Sequence, residues 1–365
     1  MHKIAVIGVK GFPGFGGAAR ANENIINRLK KKYDYTVYSI ESHASKNFIP
    51  DGFRQIVFKS SKNDRINVFL YYWKSMLHCL FKGKYDLIQI NHYASGIIIP
   101  FLRLRYKVVA TLRGIRGDGD EKFGILANFY FKIAERAFFK FSNYLVSVSK
   151  AQIPYCKKFT NKKIAYIPNG INQEENISSL KIDQKNYLLF AAARIYGIKG
   201  CHIFLEALNH IDYKGLVLII GDIDQLSNYK RKISTLSKGL NIDFKGLIKD
   251  KSVLMGYIEN AKFFVFPSFI EGMSNMLLEV ASRKTPVICS NIASNLEIFD
   301  ENEALFSEVG NSRELAKKIL WALNNEEKMK KYAEKAYQKL IKYYTWDIIA
   351  EKYDSLYKKT LEGYP

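Results

Sequence analysis

Long apolar runs are missing from this chain of 365 residues. No stretch of about 18 or more uncharged apolar residues occurs, which excludes a bilayer-spanning helix. Cysteine is scarce, with four residues at Cys79, Cys156, Cys201 and Cys289. No two of them form a C-x-x-C pair, so neither a zinc site nor a disulfide framework is indicated, and a reducing cytoplasm is expected. The opening residues, MHKIAVIGVKGFPG, have no small-residue cleavage site and read as a buried first strand instead of a secretory leader. Short-period repeats and low-complexity segments are absent too. Acidic residues are short in one half only. Residues 1–170 hold 10 Asp and Glu against 29 Lys and Arg, whereas residues 171–365 hold 25 against 27, within an overall charge of +21. A first half of net +19 calls for nucleic acid, an anionic membrane surface or a phosphorylated substrate, unless the lysines simply reflect a biased composition.

What is present suits two globular domains. Hydrophobic residues make up 48% and charged residues 25%, enough to bury a core in each half. Both halves alternate short apolar runs with amphipathic stretches, as a parallel sheet flanked by helices does. Strands are expected over 3–9, 35–40, 54–58, 85–90, 106–112, 144–148 and 163–167, then over 187–193, 216–221, 242–245, 263–267 and 286–290. Helices are expected between them, notably over 18–31, 66–81 and 123–141. Pro168-Asn169-Gly170 marks a turn before the polar stretch 172–186, which places a boundary there. After Leu305 only helices are expected, over 312–324, 326–344 and from Trp346 onward.

The densest chemistry lies in the second half. Phe266-Pro267-Ser268 ends a strand, and the loop through Glu271 and Gly272 leads into a helix starting near Ser274. Glu271 and Glu279 form an E-x7-E spacing that puts one carboxylate at a strand's C-terminal edge, where open α/β sheets bind ligands, and the other along the helix. The amides of Met273, Ser274 and Asn275 fall at that helix's start and suit an anionic diphosphate, while Gly272 permits close backbone approach. Ser274 also fits a plain N-cap. Arg194 and Lys199, in the stretch Arg194-Ile195-Tyr196-Gly197-Ile198-Lys199-Gly200, follow another strand and can hold a diphosphate and the charge that builds on it.

The ordered series Ile167-Pro168-Asn169-Gly170-Ile171, Arg194…Lys199-Gly200, Ile219-Ile220-Gly221-Asp222, Pro267-Ser268…Glu271-Gly272…Leu278-Glu279 and Pro286-Val287-Ile288 resembles the retaining glycosyltransferases of family 4. The resemblance runs over nearly the whole chain and is dense from about 163 to 298. It implies a GT-B fold, with two Rossmann-like domains facing across a cleft. They are an acceptor-binding domain over 1–170, a nucleotide-sugar-binding domain over 171–345, and a helix over 346–365 that returns to the first domain. It implies a nucleotide-sugar donor, UDP-linked before GDP-linked, no metal and no other cofactor. It implies also that Arg194 and Lys199 hold the diphosphate, that Glu279 binds the ribose and that Glu271 contacts the donor sugar. With the first domain receiving the acceptor, its net charge of +19 suggests an acceptor held at an anionic membrane, a glycan or lipid-linked sugar of surface-polysaccharide synthesis, with the enzyme in the cytoplasm at the inner face of that membrane.

Features of the first half remain to be weighed. Gly8, Gly11, Gly14, Gly16 and Gly17 close or follow the first strand, and the resemblance sets such a loop, through Gly16 and Gly17, against donor and acceptor. The same loop spells G-x-G-x-x-A from Gly14 to Ala19, with Glu41 after the next strand, which keeps an NAD(P)-dependent oxidoreductase as the alternative. The distance from the strand is long for that tight turn. Where many family members carry His-Gly, this chain has Arg113-Gly114. A permanently charged guanidinium cannot act as a base, though it can bond a sugar hydroxyl or a phosphate. His92, after another strand, is a second candidate for a donor-sugar or acceptor contact. Asp118-Gly119-Asp120 spells a metal motif but sits in a loop, where hydrated acids are common. Segments 66–84 and 123–140 mix aromatics with cations as headgroup-seated helices do, although most of their apolar residues fit a core. No recognised nucleic-acid-binding motif accompanies the charge, so no specific nucleic-acid partner is expected.

Overall fold

Ile4, Ala5, Val6 and Ile7 are wholly buried. A run of apolar residues without alternation is what an inner strand of a parallel sheet, covered on both faces, requires. The computed structural model describes residues 1–12, 14, 17–45, 48–61, 64–115, 125–172 and 185–363. The chain divides into two units, Met1–Gly170 with Trp346–Pro365, and Ile171–Thr345.

In the first unit the strands are β1 (His2–Ile7), β2 (Tyr33–Ile40), β3 (Arg54–Phe58), β4 (Leu87–Ile90), β5 (Lys107–Leu112), β6 (Tyr144–Ser147) and β7 (Ile164–Tyr166). They form a parallel sheet in the order β3-β2-β1-β4-β5-β6-β7. Its helices are α1 (Gly17–Leu29), α2 (Asp64–Phe81), α3 (Ile99–Leu102), α4 (Ile125–Phe141) and α5 (Ile153–Lys157). The second unit holds β8 (Tyr187–Arg194), β9 (Val217–Asp222), β10 (Ile242–Gly246), β11 (Ala261–Phe266), β12 (Val287–Ser290) and β13 (Leu305–Ser307). These too are all parallel, in the order β10-β9-β8-β11-β12-β13. With them come α6 (Cys201–His210), α7 (Ser227–Leu236), α8 (Lys251–Glu259), α9 (Asn275–Ser282), α10 (Ala293–Ile298), α11 (Ser312–Asn324) and α12 (Glu326–Tyr343).

β13 corrects the expectation that only helices follow Leu305. Its three residues pair with Ile288, Cys289 and Ser290 of β12. A strand so short carries no readable alternation, and only its ladder with β12 makes it one.

The last helix, α13 (Trp346–Glu362), belongs to the first unit. Its Trp346, Ile349, Tyr353 and Tyr357 are buried in one cluster with Ile25, Ile26 and Leu29 of α1. Each large side chain so buried stabilises by about 1.5–3 kcal/mol. Polar contacts set its register. Asp354 receives Lys32 at 2.7 Å and the Tyr33 hydroxyl at 2.7 Å, and Arg28 meets Asp347 at 2.7 Å. Burial alone would raise the Asp354 pKa, but Lys32, Tyr33 and Lys358 together hold it below the usual carboxylate value.

The strand orders decide where chemistry can sit. In the first sheet the direction of winding reverses between β1 and β4, and in the second between β8 and β11. At such a point the loops leaving adjacent strands turn to opposite faces and open a crevice at the carboxyl edge.

Candidate active site

β8 is buried through its first six residues and emerges at Ala193 and Arg194. Arg194 lies in register with Asp222 at the end of β9. Among the described residues no hydrogen bond or ion pair engages its guanidinium. Asp222 is held below the usual carboxylate range by the Asp224 amide, then by the Gln225 side chain, with the Arg194 charge acting in the same sense.

The chain then makes one tight turn over Gly197–Lys199 before α6. Gly200 closes it with φ of 74°, and a Cβ there would stand 1.9 Å from the Pro267 carbonyl oxygen. Only glycine allows that approach. A second clasp runs from the Phe269 amide to the Ile198 carbonyl, at 2.8 Å. The loops after β8 and β11 are thereby locked side by side at the switch point. This brings Lys199 to Glu271, with Nζ 2.7 Å from Oε1 and side chains only 21% and 10% exposed.

Beyond Glu271, α9 begins. The Ser274 hydroxyl accepts from the Leu277 amide at 3.3 Å, so its side chain serves as the N-cap. Among the described residues nothing bonds the amides of Gly272, Ser274 and Asn275. Met273 is buried beside them. Two further polar atoms, Ser268 Oγ and Asn275 Oδ1, are buried without a partner. Each such atom costs about 1–3 kcal/mol unless a ligand or water satisfies it. Free amides at a helix start, with a buried serine hydroxyl able to donate, suit an anion, whereas the Asn275 amide oxygen can only accept and suits a hydroxyl donor such as a sugar's.

Glu279 lies one turn into α9 and meets a residue that sequence reading passed over. Lys251 Nζ is 3.7 Å from its Oε1. Lys251 opens α8, whose N-cap Asp250 accepts from the Ser252 amide. A lysine in a helix's first turn opposes the dipole, and that local misfit is the signal that points to a partner carboxylate. The site thus gathers three cations, two carboxylates and a helix start. Such a set can hold a diphosphate and bond sugar hydroxyls. A separate cavity of about 810 Å³, lined by Asn302, Asn325, Lys328 and Tyr332 among others, touches none of these groups.

In the first unit the candidates meet a different environment. Gly16 lies outside the described residues, as do Asp118 and Asp120, while Gly17 opens α1 exposed to solvent. The Gly14 amide donates to Glu23 of α1 at 3.0 Å. Residues 8–16 separate β1 from α1, longer than a dinucleotide-binding turn. Glu41 accepts the Ser60 amide at 3.2 Å.

His92 caps the turn after β4, its Nδ1 accepting the Ala94 amide at 3.1 Å while its ring stacks on Tyr93. Burial, with the charge of Lys10, pushes its pKa down to about 3. The imidazole is therefore neutral, with Nδ1 occupied and Nε2 left as a donor. Arg113 donates to Asn169 Oδ1 at 3.1 Å and to Asn91 Oδ1 at 3.4 Å. Asn91 also accepts from Asn22 at 2.9 Å and from Gln89 at 3.3 Å, and Gln89 in turn accepts the Tyr357 hydroxyl of α13. Asn22, Gln89, Asn91 and Tyr357 are essentially unexposed. This network fixes Arg113 as a cation held by neutral oxygens. Gln89 inside the apolar run Leu87-Ile88-Gln89-Ile90 was its readable trace, since a buried amide needs partners.

Comparison with known proteins decides between the readings. The family model described as glycosyltransferase family 4 matches residues 15–175, and that described as glycosyl transferases group 1 matches residues 172–339. This chain is a family 4 glycosyltransferase. An uncharacterised glycosyltransferase of Methanocaldococcus jannaschii is 27% identical, over 92% of each chain. The capsular polysaccharide biosynthesis glycosyltransferase CapM of Staphylococcus aureus is 24% identical, over 73% of this chain and 74% of CapM. At the same identity, over 62% of each, stands the N,N'-diacetylbacillosaminyl-diphospho-undecaprenol alpha-1,3-N-acetylgalactosaminyltransferase of Campylobacter jejuni. Among solved structures, sucrose-phosphate synthase of Thermosynechococcus elongatus superposes with a TM-score of 0.84 over all of both chains, at 17% identity. HepE of Anabaena, solved with UDP-glucose, gives 0.78 over 98% of this chain and 100% of its own, at 16% identity. The two parallel sheets are those of the GT-B fold. The oxidoreductase alternative finds no support in these relatives.

Proposed function

We propose that this glycosyltransferase moves a sugar, with retention at the anomeric carbon, from a UDP-sugar to a lipid-diphosphate-linked or growing glycan of surface-polysaccharide assembly. The observation that carries the donor site is the Lys199–Glu271 pair at the β8/β11 switch point, with Arg194 at the end of β8 and, at the start of α9, amides that nothing bonds among the described residues. HepE, solved with UDP-glucose, supports the uridine base, and the Campylobacter relative, named for a diphospho-undecaprenol acceptor, supports the lipid carrier.

In this reading the diphosphate lies against the amides of Gly272, Ser274 and Asn275. Arg194 and Lys199 neutralise the charge that grows on the β-phosphate as the bond to the anomeric carbon breaks. Lys199 exchanges its Glu271 partner for phosphate, and Glu271 turns to the donor sugar's hydroxyls. Glu279, oriented by Lys251, takes the ribose. The acceptor hydroxyl attacks from the face the diphosphate leaves, and its proton passes to the departing phosphate oxygen. No protein base is required, consistent with Arg113 being a fixed cation and with the lowered pKa of His92. The positive charge is carried by side chains and amides, and the reaction needs neither metal nor other cofactor. Arg113 and the Nε2 of His92 offer donors to sugar or acceptor oxygens. The enzyme works in the cytoplasm against the inner membrane face.

The test is transfer of labelled sugar from UDP- and GDP-conjugates to a polyprenyl-diphosphate-linked sugar, with the product anomer read by NMR. An α-linked product from an α-linked UDP donor is expected. An inverted product would overturn the mechanism.

A further inference from the structure

We propose that one face of the first unit, made by α2, α3 and α4, seats directly on an anionic lipid surface. This names the physical partner of the membrane-linked reading above and rests on it only for the acceptor's location.

α2 is apolar on two sides. Tyr71, Tyr72, Met76 and Cys79 are buried in the core. Turned outward along the same helix are Ile66, Phe69, Leu70, Leu77 and Phe81, the last 79% exposed. Their spacing follows the helical repeat over four turns, so they form one stripe. A core-facing role explains only the first set.

The stripe continues onto its neighbours. Phe69 meets Trp73 at 6.1 Å and Tyr130 of α4 at 5.5 Å, and Trp73 meets Phe101 of α3 at 5.9 Å. Phe129 on α4 is 64% exposed, and Leu104, just past α3, is 85% exposed. That tip is strapped in place. Arg103 donates to the Phe141 carbonyl at the end of α4 at 2.7 Å, and Arg105 to the Leu80 carbonyl near the end of α2. Leu104 and Phe81 are therefore held out by a rigid frame, and scattered single exposures do not look like this.

Charge selects the partner. Lys74, Lys82 and Lys84 flank the stripe on α2, and Lys132, Arg136 and Lys140 stand on the exposed side of α4. Across residues 66–85, 99–107 and 127–141 one acid occurs, Glu135, which is 4% exposed and bonded to Tyr155. A second copy of this face would bring like charges together. Protein interfaces are depleted in lysine, whereas long cations beside exposed aromatics suit a headgroup layer over acyl chains.

The experiment is co-sedimentation of the full chain with vesicles of phosphatidylcholine, alone or with phosphatidylglycerol, at low and high salt. Two variants accompany it, Phe81→Ser with Leu104→Asp, and Lys132→Glu with Arg136→Glu. UDP binding and light scattering are measured on the same samples. Wild type should bind phosphatidylglycerol vesicles at least tenfold better than phosphatidylcholine ones, and less well at high salt. Each variant should lose tenfold or more while binding UDP as wild type does. Equal binding to both vesicles would overturn the proposal, as would variants that sediment like wild type. So would a wild-type dimer that the Phe81→Ser, Leu104→Asp double variant dissolves. Vesicle binding without any UDP binding would keep the docking face and remove the donor reading instead.

Discussion

Lys199→Ala tests the donor site at its most constrained point. Nζ stands 2.7 Å from Glu271 Oε1, with both side chains mostly buried. At an effective dielectric constant of 20 the gross attraction is about 6 kcal/mol. Desolvation of both groups offsets much of it, leaving a coupling of about 1–3 kcal/mol in a double-mutant cycle with Glu271→Gln. The catalytic loss is expected to be larger. Removing one preorganised group that stabilises developing charge costs about 10²–10³ in kcat, or about 2.7–4 kcal/mol. Because the charge appears in the transition state, kcat should fall more steeply than the donor KM rises. Initial rates against donor concentration, with denaturant unfolding in parallel, separate the two effects. A folded Lys199→Ala enzyme retaining more than a tenth of wild-type kcat would refute the role given to this lysine.

Other expectations follow from the same geometry. Gly200→Ala must place a Cβ against the Pro267 carbonyl at positive φ, so stability should drop by more than about 1 kcal/mol in denaturant titrations and activity should fall with the displaced loop. Asp354 has a lowered pKa in the folded protein, so its stabilisation is full above the ordinary carboxylate value and is lost as pH falls through the folded value. The stability gap between wild type and Asp354→Asn should therefore be widest near neutral pH and close in acid. His92, with a folded pKa of about 3, must take up a proton on unfolding below its ordinary value near 6.5. Wild type should lose stability relative to His92→Gln as pH falls from about 6.5 toward 3, and its pH–rate profile should show no limb from this residue near neutrality.

Much of the fold was legible because parallel strands buried on both faces read as plain apolar runs. The stretches at 54–58 and 144–148 needed little correction, and the site loops followed from strand ends. β13 was not legible, since three edge residues carry no period. Ser274 offered two readings, and its hydroxyl proved to cap α9. Lys251 was missed because its partner lies on a different helix, and only its place in a first turn hinted at one. The tyrosine of α13 that reaches Gln89 had no local sign at all. α2 was read mainly as a core helix, which describes one of its two apolar sides. Sequence periodicity cannot say that the other side faces solvent when both are apolar.

The central claim is that the donor nucleotide binds the second unit at the β8/β11 switch point. Isothermal titration of wild type and Glu279→Ala with UDP, GDP and NADH tests it most directly. The account predicts saturable UDP binding that weakens about 10- to 100-fold in Glu279→Ala, the loss of hydrogen bonds to a charged group being worth about 1.5–3 kcal/mol. NADH binding without UDP binding, or UDP affinity untouched by Glu279→Ala, would contradict it.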